Sequence, residues 1–198
     1  MAVISLTDFV DIVSKSGTPK ATKVASVKER PDYEPALDFY RTLREGIIHI
    51  HQSSKPKSEL DRILDKLNDP KKIKNYPALL EGYRKWWGKK SLVWFSPPRA
   101  SYEHAGIQIN INPELGMSVD SIRHVIKLYF KADALTKPRA DLITYLMETE
   151  LRKLAAPTDV MTVLDIRKAK AFTYGASSAT TQRMINAELA YIASLWGN

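Results

Sequence analysis

The sequence predicts an α+β fold, in which N-terminal helices pack with a small antiparallel sheet of about four or five strands and two C-terminal helices. Apolar residues recur at helical spacing up to about residue 90, and the spacing then changes to the period of two that is typical of strands. With 198 residues, of which 44% are hydrophobic, the chain can bury one sizeable core. We therefore expect a single domain over 1–198, with a helical half at about 1–90 and a mixed half at about 91–198.

The first predicted helix lies at the N-terminus. Ser5 is expected to cap it, because Asp8 follows at the spacing of a capping box. Gly17 is expected to end it. The segment 16–33 has no regular spacing of apolar residues and is rich in lysine, and it contains two prolines. It therefore predicts a basic linker on the surface of the domain.

Three further helices are expected in the helical half, at about 34–52, 58–67 and 77–88. The first of them begins at Glu34 and Pro35, because proline is tolerated in the first turn of a helix. Each segment carries an apolar stripe at helical spacing. Together these helices are expected to cover one face of the sheet that follows.

The middle of the chain predicts three strands, at 91–96, 107–112 and 122–131. The first is a short apolar run, and the other two alternate between apolar and polar residues. Residues 113–116 contain proline and glycine and predict a turn between the second and third strands. Because the connections are short, we expect one antiparallel meander with a single covered face.

The C-terminal part returns to helical spacing. A helix is expected over 135–154, followed by a strand at 160–166. Residues 171–174 are expected to continue that strand or to return beside it as a hairpin. The small residues of 175–178 break the chain, and a last helix is expected over 179–195. These elements complete the sheet and supply the two C-terminal helices.

Composition limits the classes of function. The chain has no cysteine, which removes disulfides, thiolate metal sites and cysteine nucleophiles. Its formal net charge is +8, so nucleic acid or an acidic protein is the expected kind of partner. The N-terminus has no basic leader, and no run of about 18 apolar residues occurs, so we expect a cytoplasmic protein without a membrane partner. Composition does not decide whether the chain forms a homo-oligomer.

The main candidate binding surface is the outward face of the predicted meander. If the isoleucines of 107–112 and the apolar residues of 122–131 face the helices, strand geometry turns their neighbours to the opposite side. Cations beside an aromatic ring and amide groups suit a phosphate backbone with a stacked base. The alternative is an ordinary solvated sheet face. The residues of this predicted surface are Arg123, Lys127, Tyr129, Lys131, Gln108 and Asn110.

A second candidate surface surrounds two adjacent tryptophans. Trp86 and Trp87 lie among basic residues at the end of the predicted helix 77–88. A basic edge with aromatic stacking would again suit nucleic acid. The alternative is that the tryptophans serve packing, with one in the core and the other half covered. The basic residues of this surface are Arg84, Lys85, Lys89 and Lys90.

The sequence contains no short catalytic motif. Glycine-rich phosphate loops, a nucleophile elbow and a zinc-protease helix motif are all missing. The spacing of the histidines gives no support for a metal site, so we expect neither a metal nor a cofactor. Glu103, His104 and Asp165 keep an enzymatic alternative open.

The functional prediction is a non-enzymatic intracellular domain that contacts nucleic acid or a nucleoprotein through a basic, partly aromatic surface. One alternative is a regulatory domain that binds an acidic protein, since the same charges would serve both partners. The other alternative is an enzyme without a recognisable short motif.

Overall fold

The structure is a computed structural model that describes residues 1–31, 38–65, 67–175 and 179–197. It combines helices and strands as the sequence predicts for the α+β class, but the strands form two sheets instead of one. In chain order the elements are β1 (Ala2–Ser5), α1 (Leu6–Val13), α2 (Gly17–Lys28), α3 (Arg41–Gln52), a 3-10 helix (Lys57–Ile63), α4 (Pro70–Trp87), β2 (Leu92–Phe95), β3 (Ala100–His104), β4 (Ile107–Ile111), β5 (Leu115–Val119), β6 (Ile122–Tyr129), α5 (Lys137–Leu151), β7 (Val160–Asp165), β8 (Lys170–Thr173) and α6 (Ala179–Trp196).

The larger sheet has five strands in the order β2-β5-β6-β7-β8. Strands β6 and β7 are parallel, and all other neighbours in this sheet are antiparallel. A parallel pair needs a crossover connection, which α5 provides. The sheet is therefore mixed, and the prediction of a purely antiparallel sheet is wrong.

Both faces of the larger sheet are buried at its central strands. On β6, Ile126 and Leu128 pack with residues of α3 and α4, while Val125 and Tyr129 pack with residues of α5. The prediction of a single covered face is therefore wrong. Alternation along a strand separates its two faces, but it does not show whether a second layer of the fold covers the more polar one.

Two clusters of buried apolar side chains flank the larger sheet. The first cluster joins one face to α1, α2, α5, α6 and the smaller sheet, and it includes Phe9, Ile109 and Leu146. The second cluster joins the opposite face to α3, the 3-10 helix and α4, and it includes Leu43 and Leu80. The larger sheet is thus the layer that the two clusters share.

The smaller sheet has the order β1-β4-β3, with β1 parallel and β3 antiparallel to β4. On β4, Ile107, Ile109 and Ile111 are buried, whereas Gln108 and Asn110 are partly exposed, as alternation predicts. The prediction that β4 and β6 belong to one meander is wrong. Strand β6 pairs with β5, while β4 pairs with β1 from the start of the chain.

Strand β5 includes residues that the sequence predicted as a turn. A Cβ atom at Gly116 would lie only 2.3 Å from the carbonyl oxygen of Phe95 on β2. The glycine therefore permits the close approach of two strands, which is a known role of glycine within a sheet. Glycine is also common in turns, so the sequence alone did not show whether Gly116 belongs to a turn or to a strand.

Two helices in the N-terminal half differ from the prediction. Helix α2 lies within the predicted linker 16–33, where Val24 and Val27 are buried at a spacing of one helical turn. Helix α4 begins earlier than predicted, because the side chain of Asp69 caps it by accepting hydrogen bonds from two backbone N–H groups of its first turn. Pro77, the expected start, lies inside α4.

The remaining segments agree with the prediction to different degrees. Helix α3 begins at Arg41, and the predicted start at 34–37 lies outside the described residues. The predicted helix at 58–67 is a 3-10 helix. Elements α5, β7, β8 and α6 lie close to their predicted positions, and all of the predicted break at 175–178 except Gly175 lies outside the described residues.

Candidate functional site

A cleft of about 1350 Å³ lies between the smaller sheet and α3. Its lining comes from the ends of β1, β2 and β4, from α3, and from the C-terminal ends of α2 and α6. Because β1 and β4 are parallel, their C-terminal ends meet at the same edge of the smaller sheet. The segment 32–37 joins two lining residues, Pro31 and Asp38, and lies outside the described residues.

Two residues of the first predicted surface line this cleft, namely Asn110 and Lys127. The side-chain amide of Gln108 donates a hydrogen bond to Asn110 Oδ1 over 2.9 Å. Lys127 Nζ donates to Glu114 Oε1 over 2.5 Å and to the carbonyl oxygen of Asn112 over 3.2 Å. The cleft therefore brings amide groups of one sheet beside a cation of the other.

Among the described residues that line the cleft, basic residues outnumber acidic ones. Each carboxylate is paired with one of the cations, by Arg30–Asp8 (2.9 Å), Arg44–Asp38 (2.8 Å) and Lys127–Glu114 (2.5 Å). Lys28 and Arg99 are exposed and form no ion pair with any residue that the structure describes. Among the described residues of the lining, the positive charge that no carboxylate pairs with therefore lies on these two side chains. The described basic residues of the lining are Lys28, Arg30, Arg44, Arg99 and Lys127, and the described acidic residues are Asp8, Asp38 and Glu114.

The ion pair of Asp8 is part of the framework of the cleft. Burial by itself would raise the pKa of Asp8, but the hydrogen bonds from Arg30 and Ser5 and the charge of Arg30 outweigh it and keep this pKa below its ordinary value. Arg30 binds both carboxylate oxygens, at 2.9 and 3.1 Å. This pair joins the segment after α2 to the start of α1 and leaves Arg30 engaged.

Two tryptophans add aromatic surface to the cleft. Trp94 is the third residue of β2, and Trp196 ends α6. Both side chains line the cleft and are half-buried. Each indole packs against one of the apolar clusters and so lies at the border between that cluster and the polar lining.

A side pocket of about 110 Å³ shares Arg44, Glu114 and Lys127 with the cleft. Its lining also includes Tyr40 and Phe130, whose rings are stacked with centroids 5.2 Å apart. The polar end of the cleft thus leads to an aromatic wall between α3 and β6.

Three other residues of the first predicted surface are engaged within the protein. Arg123 pairs with Asp159 over 2.7 Å, and its guanidinium lies 3.7 Å from the ring centroid of Phe95. Tyr129 is 3% exposed and belongs to the first cluster, where burial raises its pKa. Lys131 pairs with Asp11 of α1. The expectation that Tyr129 faces outward is therefore wrong, because the first cluster covers the sheet at Val125 and Tyr129, whereas Arg123 remains exposed.

The second predicted surface divides into engaged and exposed residues. Arg84 donates to Asp61 over 2.6 Å and to Glu81 over 3.1 Å. Lys90 donates to the carbonyl oxygen of Trp86, and its ammonium lies 5.5 Å from the centroid of that ring. Lys85 and Lys89 are exposed and form no ion pair among the described side chains. Trp86 is buried, and Trp87 is half-buried.

The residues of the enzymatic alternative lie on different sheets. Glu103 and His104 belong to β3 of the smaller sheet, and Asp165 ends β7 of the larger one. Asp165 is 2% exposed and accepts a hydrogen bond from the backbone N–H of Lys168 over 3.2 Å. Within the described ranges, no three His, Asp or Glu side chains are grouped so that they could hold a metal ion.

No protein-family model matches the chain, and no curated protein matches it significantly. The cleft must therefore be interpreted from its own residues. In a separate finding, no helix among the described elements combines the length and the apolar character needed to cross a membrane.

Sequence reasoning missed four residues that now define the cleft, which are Lys28, Arg99, Trp94 and Trp196. Lys28 was part of the predicted linker, Trp94 was part of a predicted short strand, and Trp196 follows the last predicted helix, 179–195. No motif could have connected them, since they come from four distant segments. They meet only because β1 pairs with β4 and α6 packs beside α2.

Proposed function

We propose that this protein binds single-stranded nucleic acid in the cleft and does not itself act on it chemically. One observation carries the proposal: Lys28 and Arg99, two cations that no described carboxylate pairs with, lie in the same cleft as the half-buried indoles of Trp94 and Trp196. Proteins that bind single strands combine a positive groove for the backbone with aromatic planes for the bases. The proposal retains the partner class expected from the charge and changes the residues that contact it.

Each group of the lining has a separate task in this proposal. Lys28 and Arg99 neutralise backbone phosphates. The indoles of Trp94 and Trp196 stack with unpaired bases, and the amide of Asn110 hydrogen-bonds to a base edge. The bases of a duplex are stacked on each other and are not free to enter such a cleft, so the aromatic lining favours a single strand.

The test is the salt dependence of binding. We would measure the affinity for a fluorescent oligothymidylate of about ten nucleotides by anisotropy at several salt concentrations. Each phosphate contact adds about 0.7 to the slope of log K against log salt for a single strand. The double variant K28A/R99A is expected to reduce that slope by about 1.4 and to weaken binding at low salt.

The matched control is the double variant K85A/K89A. It removes the same charge from two exposed lysines, one in the last turn of α4 and one just after this helix, and it is expected to leave the slope unchanged. If K85A/K89A reduces the slope and K28A/R99A does not, the nucleic acid binds at α4 and the proposal for the cleft is wrong. If the wild-type protein does not bind the oligonucleotide at low salt, the proposed function is wrong.

A further inference from the structure

A second pocket, of about 400 Å³, lies between α1, α5 and α6 and shares no lining residue with the cleft. Phe9 and Ile185 are fully buried at this pocket, and Leu142 is nearly so. Met184 is 46% exposed and lies at the mouth. Its volume falls within the range of about 300 to 1000 Å³ that is typical of small-molecule sites, and its lining is mainly apolar.

One cation lies at the edge of this apolar pocket. Arg139 Nε donates to Ser14 Oγ over 2.8 Å, and Nη1 donates to the carbonyl oxygen of Ala134 over 3.2 Å. Both acceptors are uncharged, and no carboxylate among the described side chains pairs with Arg139. The carboxylate of the pocket, Glu188, pairs with Lys20 instead. The pocket therefore combines an apolar interior with one guanidinium that no described carboxylate neutralises.

We propose that this pocket binds an amphipathic monoanion, namely a medium-chain fatty acid in its ionised carboxylate form. The chain packs against Phe9, Leu142 and Met184, which removes its apolar surface from water. The carboxylate accepts hydrogen bonds from Arg139, the side chain whose planar fork matches a carboxylate. This site is independent of the proposed nucleic-acid function, since it lies on other elements.

The experiment is calorimetric titration of the full chain with octanoate and with octan-1-ol. Octanoate is expected to bind more tightly than octan-1-ol. The variant R139Q is expected to weaken octanoate binding about tenfold or more, which is the size of a lost charge-assisted hydrogen bond, and to leave octan-1-ol binding unchanged. Circular dichroism of R139Q checks that the variant is folded.

Two further variants test whether octanoate binds in this pocket. R183Q removes an exposed arginine of α6 that does not line the pocket, and it is expected to leave the octanoate affinity unchanged. M184E places a negative charge at the exposed mouth and is expected to abolish octanoate binding. The proposal is overturned if octanoate binds no better than octan-1-ol, if R139Q binds octanoate as the wild type does, or if octanoate does not bind at millimolar concentration.

Discussion

At the scale of single residues, the buried pair of His51 and Tyr83 shows how a polar group is held in an apolar cluster. His51 Nε2 and the Tyr83 hydroxyl are 2.7 Å apart, and the ring of Trp87 lies 4.6 Å from the His51 ring. The hydrogen bond satisfies both buried polar atoms. Because burial disfavours the charged imidazolium, the pKa of His51 is lowered from 6.5 to about 4.

This shift predicts a pH dependence of stability. Above pH 6.5 the imidazole is neutral in both states, so the stabilisation is fully present. Between pH 6.5 and about 4, the unfolded chain binds a proton at His51 that the folded state does not, and this difference alone lowers the free energy of unfolding by about 3 kcal/mol. Denaturant unfolding at several pH values measures this fall. We expect H51Q, which keeps a hydrogen-bonding partner for Tyr83, to show a shallower fall.

The control for this prediction is H49Q, which replaces an exposed histidine on the same helix. H49Q should retain the dependence of the wild type between pH 6.5 and 4. An equal fall in H51Q and the wild type would show that His51 does not carry the effect.

At the scale of elements, helix α4 is held against the end of β7 by a close backbone contact. A Cβ atom at Gly82 would lie 2.0 Å from the carbonyl oxygen of Ile166. Gly46 of α3 faces a different neighbour, because a Cβ there would lie 2.7 Å from side-chain atoms of Ile63. Backbone cannot yield as a flexible side chain can, so the two glycines are predicted to respond differently to the same substitution.

The predicted variants are G82A and G46A. G82A is expected to lower the free energy of unfolding by about 2 kcal/mol or more, because the overpacking outweighs the gain in helix propensity. G46A is expected to change it by less than about 1 kcal/mol, since Ile63 can move and alanine favours the helix. Urea unfolding of both variants measures the difference. Equal losses would contradict the distinction between backbone and side-chain neighbours.

Helices and strands could be predicted from the sequence where the local spacing of apolar residues or a capping residue determines them. The alternation of Ile107, Ile109 and Ile111 placed β4 correctly, and Ser5 caps α1 as predicted by accepting a hydrogen bond from the backbone N–H of Asp8. Strand β1 was missed, because it is only four residues long and depends on pairing with β4. Helix α2 was missed as well, since only two of its residues are buried and its lysines resemble those of a linker.

At the scale of the whole molecule, the larger sheet joins the two apolar clusters. On neighbouring residues of β7, Val163 packs in the first cluster and Leu164 in the second. Because the same strands contribute side chains to both clusters, one cluster cannot unfold while the other stays folded. We therefore expect the single domain over 1–198 that the sequence predicts to unfold as one cooperative unit.

This prediction is tested with one core variant in each cluster. L146A in the first cluster and L80A in the second are each expected to lower the free energy of unfolding by about 2–5 kcal/mol. Trp86, Trp87 and Trp94 pack against or within the second cluster, so tryptophan fluorescence reports mainly on it, whereas far-ultraviolet circular dichroism reports on all helices. Both probes should give the same midpoint for each variant. Two separate midpoints would show that the clusters unfold as two domains.

The sequence by itself determined the α+β class, the positions of β4, β6, α5, β7 and α6, and the excess of positive charge. These properties depend on local spacing and composition. Only the tertiary structure decided that Tyr129 is buried, that Lys131 pairs with Asp11, and that Lys28 and Arg99 share a cleft with two tryptophans. The reason is physical: burial and charge pairing depend on which segments meet in space, and here the first strand and the last helix pack beside the middle of the chain.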